Sequence, residues 1–123
     1  MQNEEKTDDL RLRTKAYALR VIRCFSALPK ETVAQVLGRQ LLRSGTSVGA
    51  HYREATRARS VAEFVSKMEG GLQEADESAY RLELLSESGV VPAPRLGPLI
   101  EETDELLAIF AASVKTAKRK RQY

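Results

Sequence analysis

Apolar residues recur every three or four positions along most of the sequence, which is the spacing of one face of an α-helix. Four segments show this spacing, at about residues 7–28, 31–57, 61–88 and 95–118. No stretch of four or more residues alternates between apolar and polar positions, as a half-buried β-strand would. The sequence therefore predicts an all-α fold, an antiparallel up-down-up-down four-helix bundle that forms a single domain over residues 1–123.

Local signals mark the ends of these segments. Thr7 is suited to cap the first segment, and Pro29 ends it because the residue before a proline is pushed away from helical angles. The third segment opens with Ser60 and Glu63 in the spacing of a capping box, in which each side chain binds the other residue's backbone N–H. Gly89 is a natural helix stop, and a stiff proline-rich connection follows it.

The middle of the second segment has the composition of a loop, because residues 44–50 are mostly Ser, Gly, Thr and Ala. The apolar period nevertheless continues in phase through it, from Leu41 to Val48 and Tyr52, on a face that also includes Val33 and Val36. We therefore predict one continuous helix, with a break near residue 45 as the alternative. The small residues would let a neighbouring helix approach closely, and the equally small face of the third segment, around Ala75, is a plausible partner.

The composition excludes several classes of protein. The chain of 123 residues has one cysteine and one histidine, which excludes an internal disulfide and argues against a structural zinc site. Cys24 lies within the apolar stripe of the first segment, so we expect a buried, inert thiol. No apolar run approaches the length of a membrane span, and the N-terminus is acidic and polar, so we expect a cytoplasmic protein.

The net charge of +3 conceals a sharp division along the chain. Residues 6–59 carry a balance of +8, residues 60–105 a balance of −8, and residues 106–123 a balance of +5. Oppositely charged halves can complement each other within one bundle or across subunits, or the basic half can face a polyanion.

Two charged surfaces follow from the helical period. An arginine ridge lies roughly opposite the apolar face of the second segment and comprises Arg39, Arg43, Arg53 and Arg57. An acidic flank on the third segment comprises Glu69, Asp76, Glu83 and Glu87. Three interpretations stay open: both are solvated faces, the ridge of one subunit pairs with the flank of another, or the ridge binds phosphate.

A basic C-terminal tail, residues 115–123, is the second candidate for contact with RNA or DNA. Its cationic residues are Lys115, Lys118, Arg119, Lys120 and Arg121. Basic residues also suit the C-terminus of a helix, where the helix dipole is negative. Repetition of the tail around an oligomer would turn a weak electrostatic contact into useful binding.

Each helix also carries an apolar residue away from its core face. These residues are Leu12, Leu19, Leu42, Leu84 and Ile109. One exposed apolar residue would be ordinary, but their presence on every helix predicts a second buried surface and hence a homo-oligomer.

Nothing in the sequence supports catalysis. His51 and Glu54 share one side of the second segment, but a di-iron bundle needs two Glu-x-x-His motifs and further inward-facing Glu residues. We expect a hydrogen-bonded structural pair, with no catalytic residue, no metal and no cofactor. The functional prediction is a non-catalytic, self-assembling scaffold or binding module; the alternative is an orphan enzyme or a small-ligand-binding bundle.

The string Gln-Leu-Leu-Arg-Ser-Gly-Thr-Ser-Val-Gly-Ala-His-Tyr-Arg-Glu-Ala, at residues 40–55, is similar to a known family. The Ala-Glu-Phe at residues 62–64 and the Leu-Glu-Leu-Leu at residues 82–85 match it as well. The chain resembles the bacterial four-helix bundle proteins named after open reading frames in intervening sequences of 23S rRNA genes. His51 stands where the family usually has Asn, whereas Arg43, Ser47 and Glu54 match the family pattern.

This resemblance implies an antiparallel four-helix bundle and commonly a ring-shaped homopentamer. A related branch, the accessory variability proteins of diversity-generating retroelements, is strongly basic and partners a reverse transcriptase. The first partner implied is therefore a further copy of the chain. The second is either nucleic acid, RNA or DNA, or a nucleic-acid enzyme such as a reverse transcriptase. The matching Arg43, Ser47 and Glu54 lie along one edge of the second segment, where helix–helix or subunit contacts are their natural use.

Overall fold

A computed structural model describes the backbone of residues 2–121 and the side chains of residues 9–120. This part of the chain forms four α-helices: α1 (Gln2–Ser26), α2 (Thr32–Thr56), α3 (Val61–Glu87) and α4 (Ala93–Arg121). It contains no β-strand. Helices that follow one another in the sequence pack together extensively, whereas α1 and α4 make the fewest contacts. The predicted four-helix bundle is confirmed, with its α1–α4 side the most open.

The helix ends differ from the prediction where local signals compete. Helix α1 begins five residues before the predicted Thr7 cap and ends at Ser26, two residues earlier than expected. The hydroxyl of Ser60 accepts a hydrogen bond from Glu63 N at 3.0 Å, as a capping box requires, but Glu63 Oε2 accepts from Arg59 N, at 3.4 Å. Gly89 has a φ of 77°, which glycine adopts without strain, and this conformation follows the end of α3.

Helix α2 is continuous through its glycine-rich middle, as predicted. Close approach of α1 explains why glycine is needed there. A Cβ built on Gly45 would lie 2.8 Å from Val21 Cγ2, and one built on Gly49 would lie 3.1 Å from Thr14 Oγ1. The expected mate, the small face of α3 around Ala75, is therefore only partly right: Gly45 and Gly49 pack on α1, whereas Ser44 of the same stretch meets Ser78 of that face.

Small residues also bring α3 close to its neighbours. A Cβ on Gly71 would lie 2.5 Å from Phe110 Cε2 on α4, and one on Gly70 would lie 2.8 Å from the imidazole of His51 on α2. Between α2 and α3, the buried hydroxyls of Ser44 and Ser78 are 2.7 Å apart.

The core follows the predicted apolar faces except near the start of α2. Val33 and Val36 were expected inside but are 52% and 48% exposed, and Ala34 and Gly38 are buried instead. A Cβ on Gly38 would lie 2.8 Å from Phe25 Cδ1 of α1 and 2.5 Å from Leu28 Cδ1 just beyond that helix, so the end of α1 approaches this turn too closely for a larger residue. Steric fit, rather than hydrophobicity, selects the inner positions there.

Candidate functional site

The arginine ridge divides into one neutralised and three unpaired residues. Arg43 reaches α3, where its Nη1 lies 3.1 Å from Glu74 Oε2 and its Nη2 lies 2.8 Å from Glu77 Oε2. Arg39, Arg53 and Arg57 are exposed, and none of them pairs with another described side chain. The three unpaired guanidinium groups lie along one side of α2 over roughly 27 Å, the length of eighteen helical residues.

A basic residue of α1, which the sequence analysis did not single out, extends this surface. Arg11 is exposed and lies three residues before Thr14, the α1 residue that approaches Gly49 of α2. Thr14 contacts the Gly49 position, and Arg11 and Arg53 are each about one turn from that contact, toward the same end of the bundle. Arg11 and Arg53 therefore lie at a similar height along the bundle axis. The sequence alone does not show this, because it depends on how α1 and α2 are aligned with each other. We call Arg11, Arg39, Arg53 and Arg57 the basic α1–α2 surface.

The edge that matches the family pattern makes contacts between helices. Besides the two ion pairs of Arg43, Glu54 Oε2 lies 3.3 Å from Lys67 Nζ on α3. Ser47 remains local, because its hydroxyl donates to the Arg43 carbonyl oxygen at 2.7 Å. This edge therefore holds α2 against α3 within one chain.

His51 does not form the expected hydrogen bond with Glu54. Its Nδ1 lies 3.8 Å from Glu54 Oε2, which is too far for a hydrogen bond, and Nδ1 is buried with no hydrogen-bond partner among the described residues. The ring instead covers Gly70, where any side chain would collide with it. No cluster of three or more His, Cys, Asp or Glu side chains that could hold a metal ion occurs in the described part of the chain.

The basic residues near the C-terminus belong to helix α4, because this helix continues to Arg121. The expected tail is thus helical over most of its length. Lys118 Nζ lies 3.7 Å from Glu69 Oε2 of the acidic flank, an exposed pair that contributes little stability. Lys115, Arg119 and Lys120 are exposed, and the side chain of Arg121 lies outside the described residues.

The acidic flank is exposed on α3. All four of its carboxylates, those of Glu69, Asp76, Glu83 and Glu87, face solvent, and only Glu69 forms an ion pair with a described side chain. The carboxylates that neutralise Arg43 belong to Glu74 and Glu77, which lie nearer the α2–α3 contact. Within one chain, the ridge and the flank therefore do not pair with each other.

The expected assembly residues differ in exposure. Leu12 is 67% exposed and Leu19 is 43% exposed, and Ile22, 42% exposed, extends their stripe along α1. Leu42 and Ile109 were expected off the core but are half-buried and pack against it, because each helix contacts two neighbours and buries a broad face. Leu84 is also half-buried. Of the expected assembly residues, only Leu12 and Leu19 on α1 are therefore exposed.

Two polar contacts join α1 to α4 on the more open side of the bundle, an ion pair and a hydrogen bond. The sequence analysis predicted neither. Arg13 donates two hydrogen bonds to Glu102, from Nε at 2.8 Å and from Nη2 at 2.7 Å. This contact holds the pKa of Glu102 below its usual range, although partial burial opposes the shift. Deeper in the seam, Tyr17 Oη and Thr103 Oγ1 are 2.7 Å apart. Burial raises the pKa of Tyr17, so this phenol stays neutral.

None of the described helices is long and apolar enough to cross a membrane. The Cys24 thiol is half-buried rather than buried as expected, and burial raises its pKa, which slows its reactions without preventing them.

Comparison with known proteins places the chain in a family. No curated protein matches it. A crystal structure of a protein of unknown function from the S23 ribosomal protein family of Bacteroides thetaiotaomicron is 31% identical, with a TM-score of 0.83. The match covers 89% of this chain and 98% of that chain. Residues 8–112 match the family model of the 23S rRNA-intervening sequence protein, and the chain belongs to that family.

Proposed function

We propose that this protein is a non-catalytic, self-assembling bundle whose basic α1–α2 surface binds the phosphate backbone of RNA or DNA. The observation that carries the proposal is the contrast within the arginine ridge. Arg43 is neutralised by two carboxylates, whereas Arg39, Arg53 and Arg57 are exposed and unpaired among the described residues. Arginine suits this role because its planar guanidinium donates two hydrogen bonds to one phosphate group.

Self-assembly supports the same function. The apolar stripe of Leu12, Leu19 and Ile22 on α1 supplies a surface that a second copy can cover. Each added subunit repeats the basic surface, so weak phosphate contacts combine into tighter binding. The family resemblance suggests a ring of five subunits.

A protein partner is the second candidate, and the acidic flank favours it. Asp76, Glu83 and Glu87 are exposed and form no ion pair with any described side chain, so a basic protein surface can pair with them. The resemblance suggests a nucleic-acid enzyme such as a reverse transcriptase.

The test is fluorescence anisotropy with a short, labelled single-stranded RNA. The Arg39→Gln/Arg53→Gln/Arg57→Gln variant removes three charges from α2, while the matched control Lys115→Gln/Arg119→Gln/Lys120→Gln removes three from the end of α4. We expect the first variant to lose most of its affinity and the control to lose little. The reverse result would move the site to the end of α4, and the absence of binding at low salt by all forms would contradict nucleic-acid binding.

A further inference from the structure

A cleft of about 450 Å³ lies at the end of the bundle where α1 ends and α4 begins. Its walls come from the last turns of α1, from residues 27–29 that follow this helix, and from the start of α4 with the loop before it. Thirteen residues line the cleft, and none of them is Asp or Glu. Its volume lies within the range of small-molecule sites.

The lining combines an apolar wall with three arginines. Leu28, Val91, Leu96 and Leu99 contribute apolar surface, and each of them is buried in the core. The cations of the lining are Arg20, Arg23 and Arg95, and none of these forms an ion pair with another described side chain. An apolar chamber with several guanidinium groups and no carboxylate is complementary to a molecule that is apolar at one end and anionic at the other.

The local fold accounts for two of these arginines. Arg23 lies in the last turn of α1, where a cation complements the negative end of the helix dipole. Arg20 lies near enough to Glu102 on α4 to help lower the pKa of that carboxyl, although the two form no ion pair. Arg95 lies in the first turn of α4, where the dipole is positive and a cation is unfavourable, and no described carboxylate forms an ion pair with it.

We propose that this cleft binds an amphipathic anion, an acyl or aryl group that bears one carboxylate or phosphate. The apolar body packs against Leu28, Val91 and Leu99, and the anionic head accepts hydrogen bonds from Arg20 and Arg95. The helix N-terminus of α4 adds favourable potential at the head. This site is separate from the basic α1–α2 surface and does not depend on binding of nucleic acid.

Cys24 provides the readout because it is the chain's single cysteine and lies in the wall of the cleft. Its half-buried thiol can be labelled with N-ethylmaleimide, and the labelling rate followed by intact-mass spectrometry. A molecule in the cleft shields this thiol. The probes are dodecanoate, dodecyl phosphate and the uncharged dodecanol, each kept below the concentration at which it forms micelles.

On the native protein, dodecanoate or dodecyl phosphate should slow labelling at concentrations where dodecanol has little effect; whichever anion protects more strongly identifies the head group. In the Arg20→Gln/Arg95→Gln variant, half-protection should need about tenfold more of the anion, as expected for loss of charge-assisted hydrogen bonds. The Arg39→Gln/Arg53→Gln control removes two charges outside the cleft and should keep the native midpoint for protection of Cys24. Equal protection by dodecanol, no protection by either anion, or an unchanged midpoint in the Arg20/Arg95 variant would overturn the proposal.

Discussion

The buried hydroxyls of Ser44 on α2 and Ser78 on α3 are 2.7 Å apart, and Ser78 also donates to the Glu74 carbonyl oxygen at 2.9 Å. Because the hydroxyl of Ser78 has one proton, Ser44 donates to Ser78 and Ser78 donates to Glu74. Among the described residues, the only other acceptor near Ser44 is the Leu41 carbonyl oxygen, at 3.4 Å. This relay satisfies two polar groups at the buried contact between α2 and α3.

Removal of either serine hydroxyl should lower the free energy of unfolding, but by different amounts. Ser78→Ala leaves the Ser44 donor with a poor acceptor and should lower the free energy of unfolding by about 1–2 kcal/mol. Ser44→Ala leaves Ser78 bonded to Glu74 and should cost about 1 kcal/mol or less. Urea unfolding of both variants measures the difference, and a larger cost for Ser44→Ala would contradict the assigned direction.

The glycine face of α2 predicts a strong steric effect at one position and none at its control. Gly45→Leu forces a side chain against Val21 and should destabilise the protein by at least about 2 kcal/mol. Ala50→Leu is the matched control, because Ala50 is an exposed residue of the same helix. That change should be nearly neutral, since alanine and leucine are both good helix formers. Equal melting temperatures for the two variants would contradict the close α1–α2 packing.

The Arg13–Glu102 pair predicts a pH dependence of stability. The hydrogen bonds from Arg13 lower the pKa of Glu102 from its ordinary value of 4.5, so the folded state binds the proton less tightly than the unfolded state. The contribution is therefore full above pH 4.5 and is lost as the pH falls through the lowered pKa of the folded state.

Glu102→Gln should lower the free energy of unfolding by about 1 kcal/mol at pH 7. The difference in this free energy between the variant and the native protein should shrink in acid. Glu105 is the control, because its carboxylate also approaches Arg13, at 3.3 Å, but its side chain is 64% exposed. Glu105→Gln should change stability little at any pH. Denaturant unfolding from pH 7 to acid measures both, and a constant difference for Glu102→Gln would count against the pair.

The apolar stripe of α1 predicts assembly. Light scattering at micromolar concentration should give a mass several times 13.7 kDa. Leu12→Glu/Leu19→Glu should reduce the mass to that of a monomer, because two charges would be buried without partners. Val33→Glu/Val36→Glu, at exposed positions on α2, should leave the oligomer intact. A monomeric native protein, or dissociation only in the valine variant, would refute assembly through α1.

Helical periodicity predicted the number, order and type of elements because all four segments carry an apolar face that packing in a bundle buries. It failed at Val33 and Val36 because hydrophobicity does not reveal how closely α1 approaches, which decides that Ala34 and Gly38 lie inside. The composition of residues 44–50 is ambiguous alone, yet the phase from Leu41 to Tyr52 correctly predicted a continuous helix.

The charged surfaces were only partly predictable. The period placed Arg39, Arg43, Arg53 and Arg57 on one side of α2, but the neutralisation of Arg43 by Glu74 and Glu77 depends on the rotation of α3 about its own axis. The cleft lies where the ends of α1 and α4 meet, and no spacing within one helix reveals which loops face each other. Contacts between helices, rather than patterns within them, define the candidate sites.

The salt dependence of RNA binding tests most directly the central claim that the basic α1–α2 surface binds phosphates. The logarithm of the binding constant should fall linearly with the logarithm of the salt concentration. In the Arg39→Gln/Arg53→Gln/Arg57→Gln variant this slope should become shallower by about 2, since three contacts to single-strand phosphates are lost and each contributes about 0.7. The Lys115→Gln/Arg119→Gln/Lys120→Gln control should retain the native slope. The same slope in the native protein and the arginine variant would contradict the account.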